Sequence, residues 1–286
     1  MWVSIKPDGP LFLRGHGEFD PSARGPIPFG RSLSWPRPGT IAGAIASLAY
    51  RERGTSPSTP WEDLKLVAGI LEDAGISSIW GPLLRYKDEV YVPLWARGLK
   101  IVKLSSLRTL AGSVERGCLS IAEGLDIRNI QYVGTALLSR ELGQKRVREG
   151  YLFIRNMTSF PPGTEFLLEL RGSPSIPLPS RVKFGGEGRI AKVAETEPVE
   201  LPKEGNRLLL LSPAPIRSGS NFLISGSIDV RGLGFSLARR KRRPLVRAIL
   251  EGSILKLSST DNVYNLLDHP FGLTLKRLGY GSSLSL

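Results

Sequence analysis

Residues 181–193 read RVKFGGEGRIAKV, and this stretch indicates the class of fold most directly. The glycine-rich segment at 185–188 separates two short runs, which predicts a strand, a tight turn and a second strand. The glycines suit a turn that requires a positive φ. They would also let a phosphate approach the backbone, with Lys183 and Arg189 on either side. Because the segment lies between strands and opens no helix, it lacks the context of a Rossmann motif.

The rest of the chain adds more strands and two helices to this hairpin. Small apolar residues at 41–50 and an amphipathic pattern at 61–74 predict the helices. Further strands are predicted at 2–5, 79–86, 90–94, 148–154, 164–170, 207–211 and 252–257. Strands outnumber helices without a regular βαβ alternation, so we predict an α+β fold.

Two long segments carry no clear periodicity. Residues 15–38 are rich in Gly, Pro, Ser and Arg and predict a long irregular loop. Residues 96–138 are weakly patterned and predict an insertion. Loops of this length in a compact domain are usually functional or mobile.

The charge balance points to a polyanionic partner. Lys and Arg number 39 against 26 acidic residues, which gives a net charge of +13 and a pI near 10.1. An excess of this size is typical of nucleic-acid-binding domains. Arg outnumbers Lys, and its planar guanidinium binds phosphate in a bidentate way and stacks on bases. An anionic membrane or an acidic protein remains the alternative.

Several classes of protein are excluded. Cys118 is the single cysteine, so no intrachain disulfide can form, as expected in a reducing cytoplasm. The N-terminus lacks a secretion signal, and apolar runs fall short of the ~20 residues that cross a bilayer. One cysteine with His16 and His269 cannot build a structural zinc site, and no Walker-type motif is present. We therefore expect a cytoplasmic protein with no metal or cofactor.

The charged groups on the predicted helices and loops differ in what they indicate. The acidic pairs Glu62-Asp63 and Glu72-Asp73 are predicted to face solvent, because metal ligands must converge in space. The run RRKRR at 239–243 predicts a basic loop that needs a polyanion or full exposure. The segment 272–281 places Lys276 and Arg277 between glycines, so a loop there could follow a phosphate backbone closely.

These segments, taken in order, resemble the family of the third subunit of the Cmr (type III-B CRISPR) effector complex, within the RAMP superfamily. The stretches that carry the resemblance lie at 11–15, 36–45, 81–84, 90–93, 147–152, 184–189, 209–214 and 252–255. Glu251 departs from the family, which often has a small residue at this position. The resemblance covers nearly the whole chain and is thinnest between 96 and 140.

The resemblance implies an architecture and a role. It implies two ferredoxin-like (RRM-like) domains with long loops and insertions, at residues 1–142 and 143–286, and a glycine-rich loop for which 272–281 is the candidate. The classical RRM aromatic signature is not apparent, so stacking of the usual RRM kind is not assumed. The implied role is non-catalytic: the subunit would grip the 5′ tag of the guide RNA (crRNA). It would pair with the large polymerase/cyclase-like subunit and the backbone RAMP subunits.

Charge, glycine context and the resemblance together select the candidate RNA-binding residues. They are Arg14, His16, Arg31, Arg37, Lys183, Arg189, Arg239, Arg240, Lys241, Arg242, Arg243, Lys276 and Arg277. The main alternative function is a RAMP endoribonuclease that processes guide precursors with His16 as acid or base. A further alternative is a subunit that binds only proteins and uses its charge on an acidic partner.

Overall fold

The computed structural model describes residues 1–14, 29–30, 32–49, 59–115, 124–137, 147–202, 205–216, 223–236, 241–256 and 272–286. Its helices are α1 (Pro38–Ala49), α2 (Pro60–Asp73), α3 (Leu107–Glu115) and α4 (Gly272–Arg277). None of these helices is long and apolar enough to cross a bilayer.

The strands, in chain order, begin with β1 (Trp2–Pro7), β2 (Phe29–Gly30), β3 (Ile76–Tyr86), β4 (Glu89–Trp95), β5 (Leu99–Lys103), β6 (Arg128–Leu137), β7 (Val147–Ser159), β8 (Glu165–Gly172), β9 (Ser180–Lys183) and β10 (Ile190–Glu195). The remaining strands are β11 (Leu208–Leu210), β12 (Ala214–Pro215), β13 (Leu223–Ser225), β14 (Ile228–Gly232), β15 (Phe235–Ser236), β16 (Lys241–Arg242), β17 (Leu245–Ile249), β18 (Ile254–Leu255) and β19 (Ser283–Ser285). The predicted mixture of α and β with an excess of strand is confirmed.

A seven-stranded antiparallel sheet organises the molecule, in the order β5-β4-β3-β8-β1-β10-β9. The strands β1 and β3 both pair antiparallel with β8, so they run parallel to each other with β8 between them. The helices α1 and α2 lie between β1 and β3 in the chain, so these elements form a split βαβ arrangement around β8. No helix follows β8 before β10, because the described residues 173–189 form only β9 and turns.

The strands of this sheet come from both sides of residue 142. The sheet is therefore not confined to the predicted N-terminal domain, and the division at 142 stays a prediction. Smaller sheets complete the fold: β13-β18-β11-β19, β12-β17-β14, β15-β16 and β2-β7-β6.

The two faces of the large sheet bury different layers. Ile5, Phe166 and Ile79 point to one face and pack against the helices α1, α2 and α4. On the other face, Trp80 and Leu167 join α3 and the small sheet that contains β11 and β19. Each large side chain removed from water in this way contributes about 1.5–3 kcal/mol, so the sheet is held from both sides.

Helix α2 begins where its sequence contains a capping box. The Thr59 hydroxyl accepts a hydrogen bond from the Glu62 backbone N–H at 3.1 Å, and the Glu62 carboxylate accepts one from the Thr59 N–H at 3.1 Å. Pro60 occupies the first turn, where its missing N–H has no partner to lose. These contacts fix the start of the helix that carries the buried Asp63.

The predicted hairpin at 181–193 is confirmed, but two other local predictions are wrong. Residues 99–115 are not an inserted segment, since β5 is an edge strand of the large sheet and α3 packs on it. The helix signal was present in Leu107, Ala111 and Val114, which share one face and are buried. Residues 272–281 begin as the helix α4, not as a loop.

Candidate nucleic-acid interface

The turn between β9 and β10 is pressed against the chain that leaves β1. The Gly186 N–H donates to the Phe12 carbonyl at 2.8 Å, and the Phe184 N–H donates to the Arg189 carbonyl at 2.8 Å. Gly185 has φ +84°, and a Cβ on Gly186 would lie 2.8 Å from the Phe12 ring. The glycines are therefore required by backbone conformation and by the contact with Phe12, which was one of the two interpretations of this turn.

Arg189, at the end of this turn, lies over an aromatic ring. Its guanidinium carbon is 5.8 Å from the centre of the Tyr132 ring, within the range of a cation–π contact. One terminal nitrogen lies 3.1 Å from the Met157 sulfur, a weak acceptor. Its buried Nε has no hydrogen-bond partner among the described residues. The guanidinium of Arg189 is thus held in place without a carboxylate from the described part of the chain.

The β6–β7 hairpin supplies a second arginine. Arg155 lies directly opposite Tyr132 in the strand register and forms an ion pair with Glu187, at the tip of the β9–β10 turn. The two side chains are 19% and 33% exposed. This pair joins the two hairpins, which the order of residues in the chain could not reveal.

Residues 11–14, which follow β1 and contact the β9–β10 turn, bring Arg14 into the same region. Leu11 pairs with Thr158 of β7, and Arg14 pairs with Ser32 in an isolated bridge. The Ser32 hydroxyl accepts hydrogen bonds from the Leu13 N–H at 2.9 Å and from the Thr158 hydroxyl at 2.8 Å. Arg14 is exposed, two residues beyond the Phe12 contact.

We call Arg14, Tyr132, Arg155, Glu187 and Arg189 the hairpin-tip cluster. It contains three guanidinium groups, one carboxylate and one aromatic ring. Two of its arginines were predicted from sequence, whereas Tyr132 and Arg155 were missed. The sequence around these two residues carries no signal for them, because their position in the cluster depends on the pairing of β6 with β7.

Two other predicted RNA-binding arginines are partly buried and are held by contacts within the protein. The Arg37 side chain donates to the Gly232 carbonyl at 3.2 Å, and burial lowers the pKa of its guanidinium below the usual value. The Arg243 Nε is 2.5 Å from an Asp63 oxygen, with side chains only 9% and 6% exposed. The role that this geometry supports for both arginines is structural.

Asp63 itself corrects the expectation that the acidic pair at 62–63 faces solvent. Glu62 is exposed, but Asp63 is buried and accepts hydrogen bonds from Arg243 and from the Ser236 hydroxyl, the latter at 2.9 Å. The partners come from a segment 173 to 180 residues away. Helix periodicity cannot show that such a segment covers the polar face of α2.

The remaining predicted residues fall into three groups. Arg277 forms two hydrogen bonds to the Glu72 carboxylate, at 2.6 and 3.0 Å, so it ties α4 to α2, and Lys276 precedes it on α4. Lys183 is exposed at the end of β9, and Lys241 and Arg242 form β16. His16, Arg31, Arg239 and Arg240 lie outside the described residues, and their roles stay predictions.

The described residues contain no group of three side chains that could hold a metal ion. They do contain a buried acid, Glu251, which is 8% exposed. Burial raises the pKa of its carboxyl above its ordinary value, and this effect exceeds the lowering effect of Arg231 and Arg37. Its Oε2 has no hydrogen-bond partner among the described residues.

Glu251→Gln is expected to raise the free energy of unfolding at neutral pH by about 1 kcal/mol, because a neutral amide costs less to bury than a carboxylate. A carboxyl with a raised folded-state pKa binds more protons in the folded state. Stability therefore falls as pH rises from the ordinary carboxyl pKa towards the folded one. The advantage of the variant should fade below the ordinary pKa of 4.5. Urea denaturation across a pH series measures the difference in the free energy of unfolding between the variant and the unaltered chain, with Glu195→Gln at an exposed position as control. A variant that is less stable at every pH would contradict the assignment.

Comparison with known proteins shows which family the chain resembles. The family model for the CRISPR-associated protein Cas_Cmr3 matches residues 3–112. The chain is 28% identical over 311 aligned positions to the CRISPR system CMR subunit Cmr3 of Saccharolobus solfataricus, covering 99% of this chain and 96% of that protein. The chain is therefore similar to Cmr3 proteins over nearly its whole length, and its first 112 residues contain the match to the family model.

Two solved structures have the same overall fold as this chain. A chain in the cryo-EM structure of the type III-B Cmr-beta complex bound to cognate target RNA is 24% identical, with a TM-score of 0.78 over 100% of this chain and 96% of that one. The same complex bound to cognate target RNA and AMPPnP matches with 24% identity and a TM-score of 0.76, over 98% and 95%. The predicted resemblance to the type III-B CRISPR family is confirmed.

Proposed function

We propose that this chain is an RNA-binding, non-catalytic subunit of a type III-B CRISPR effector complex. In this role it grips the 5′ tag of the guide RNA and pairs with the large polymerase/cyclase-like subunit and the backbone RAMP subunits. Similarity to Cmr3 supports this assembly, since two of the structures that resemble the chain are of Cmr-beta complexes bound to target RNA. The finer architecture of two ferredoxin-like domains belongs to the same proposal.

The hairpin-tip cluster is the observation that carries the RNA-binding part. Guanidinium groups bind phosphates in a bidentate way and stack on bases, and an aromatic ring offers a platform for a base. Arg189 fits the phosphate-binding role, because Tyr132 orders its guanidinium and no described carboxylate pairs with it. Glu187 neutralises Arg155, which leaves the cluster with a positive surplus.

Long, glycine-rich sequence adjoins this cluster on the chain. Residues 15–28 follow Arg14 directly and include His16, and Arg31 precedes Ser32. We propose that these residues extend the contact with the guide tag, together with Lys183. The basic run 239–243 is proposed as a further contact through Arg239 to Arg242, while Arg243 is held by Asp63. Recognition then rests on backbone and shape, and base pairing reads the target.

Arg14→Ala combined with Arg189→Ala is expected to weaken the binding of single-stranded RNA by about tenfold or more. It should also flatten the dependence of log affinity on log salt by about 1–2, because fewer counterions are released. Filter binding with a tag-containing guide RNA across a salt series measures both quantities. Arg171→Ala combined with Lys100→Ala is the matched control, because it also removes two cations, one paired with Glu169 on β8 and one exposed on β5.

Two outcomes would contradict the proposal in different ways. If the folded double variant keeps the affinity and salt dependence of the unaltered chain, the hairpin-tip cluster is not the RNA site. If the unaltered chain binds no RNA alone or with its partner subunits, the RNA-binding role itself is wrong. Site-specific cleavage of repeat RNA that is lost in His16→Ala would replace the non-catalytic role with the nuclease.

A further inference from the structure

One face of the large sheet carries a row of cations that the hairpin-tip cluster does not include. Lys6 of β1 lies directly opposite Lys192 of β10, which in turn lies opposite Arg181 of β9. Lys183 is two residues beyond Arg181 and therefore on the same face. With neighbouring strands about 4.8 Å apart, the row crosses about 10 Å of sheet. We call these four residues the cationic sheet face.

This face is open to solvent. The side chains of Lys6 and Arg181 are 51% and 72% exposed, and Lys183 and Lys192 are also exposed. The residues that alternate with them point the other way, and Ile5, Val182 and Val193 are buried in the core. The cations are thus fixed on rigid, well-buried strands, with their charged ends in water.

Acidic residues balance only part of this charge. Glu165 lies 3.8 Å from Lys6 but only 2.7 Å from Arg85, so it serves two cations, and Asp8 pairs with Arg181 at 2.9 Å. Within the described parts of the chain, no ion pair joins Lys183 or Lys192 to a carboxylate. Like charges directly opposite in a sheet destabilise it. A polyanion on this face would remove that repulsion.

The position of the row favours RNA as the polyanion that binds it. Lys183 pairs with Ile190, and these two residues flank the turn that ends in Arg189 of the hairpin-tip cluster. The cationic sheet face therefore continues from that cluster along the same hairpin. Its four side chains include no aromatic ring for stacking, and the neighbouring Ile190 is an apolar residue that is 43% exposed. Such a surface suits phosphates and does not read bases.

We propose that the cationic sheet face, formed by Lys6, Arg181, Lys183 and Lys192, is a second and sequence-independent contact for the phosphate backbone of RNA. This inference rests on the proposed RNA-binding function, because the strand reaches the face from the hairpin-tip cluster. The tip holds and orients the strand, and the sheet face adds affinity through charge alone. The contact depends strongly on salt and hardly at all on base composition.

The test compares two double variants with the same change in net charge. Lys183→Ala with Lys192→Ala removes the two lysines of the face that lack a described carboxylate partner. Lys87→Ala with Lys100→Ala removes two exposed lysines from the β3–β4 turn and the β5 edge of the same sheet. Affinity is measured across a salt series for an oligouridine, an oligoadenine and the tag-containing guide RNA, each in a short and a long form. Circular dichroism establishes that every variant is folded.

The variant of the sheet face is expected to lose about tenfold in affinity for each long RNA at low salt, with a salt slope flatter by about 1.4, which corresponds to two phosphates of a single strand. The loss should be equal for both homopolymers and smaller for the short RNAs, while the Lys87 and Lys100 variant is unchanged. If both double variants behave alike while Arg14→Ala with Arg189→Ala still weakens binding, the inference is wrong and the proposed function stands. If the unaltered chain binds acidic peptide but no RNA, both are wrong.

Discussion

Asp63→Ala is expected to lower the free energy of unfolding by about 3–5 kcal/mol, the largest effect of a single side chain that we predict. The carboxylate is buried and holds both the Arg243 guanidinium and the Ser236 hydroxyl. Its removal leaves a buried cation without this partner, and an unpaired buried charge is far more costly than a lost surface contact. The contact links α2 to the segment around β15 and β16, so the variant should also loosen that segment.

The experiment separates the ion pair from the position of Asp63 in the first turn of α2. A carboxylate there also interacts favourably with the helix dipole, by about 0.3–1 kcal/mol. Arg243→Met keeps Asp63 and its interaction with the helix dipole, yet it should still lower the free energy of unfolding strongly. The double variant Asp63→Leu with Arg243→Met leaves no unpaired buried charge, so it should regain much of the stability that each single variant loses. Glu72→Ala is the control, because the Glu72 side chain is 61% exposed and the loss of its pair with Arg277 should cost about 0–1 kcal/mol. Urea denaturation followed by circular dichroism measures all four, and a loss below about 1 kcal/mol for Asp63→Ala would contradict the assignment.

Gly252→Ala is the second substitution with a large expected effect, a loss of about 3 kcal/mol or more. Gly252 has φ +81°, and a Cβ there would lie 2.8 Å from the Trp95 nitrogen and 2.9 Å from the Leu94 carbonyl carbon. Its own carbonyl accepts from the Trp95 N–H at 2.8 Å, and its N–H donates to the Leu210 carbonyl at 2.7 Å. Backbone lies on both sides, so the neighbours cannot move aside cheaply.

Gly163→Ala is the matched control for this substitution. Gly163 has φ +90°, yet nothing lies within 4 Å of the position that a Cβ on this residue would occupy. Gly163→Ala should therefore lower the free energy of unfolding by only about 1–2 kcal/mol, which is the cost of holding a residue with a Cβ in the left-handed conformation. The difference between the two variants, from denaturation under the same conditions, reports the contact between β4 and the small sheets. Equal losses would mean that this contact tolerates an added methyl group.

The site was predictable in part. Arg14, Lys183 and Arg189 could be selected because charge beside glycine is a local signal, and the structure places all three on or near one hairpin. Tyr132 and Arg155 could not be selected, since their relevance comes from the pairing of β6 with β7 and from Glu187 across the interface. Lys6, Arg181 and Lys192 were missed for the same reason: each is an ordinary surface cation until three strands align.

Burial was the least predictable property. Arg243 belongs to the most basic run of the chain, and that composition predicted exposure. The structure instead gives it a buried carboxylate from α2, 180 residues earlier in the chain. Likewise, the glycines at 272, 279 and 281 suggested a loop, whereas Leu275 and Leu278 are buried and draw the intervening residues into a helical turn.

Local pattern alone was sufficient for the α+β class, for the helices α1 and α2, for the β9–β10 hairpin and for the likeness to the Cmr3 family. These depend on residues near one another in the chain, where periodicity, capping and turn chemistry act. Strand order, the split βαβ unit that draws on both halves, and the division of the arginines into buried and exposed groups required the tertiary structure. Such features arise from contacts between distant segments, and the free energy of those contacts cannot be inferred from neighbouring residues in the sequence.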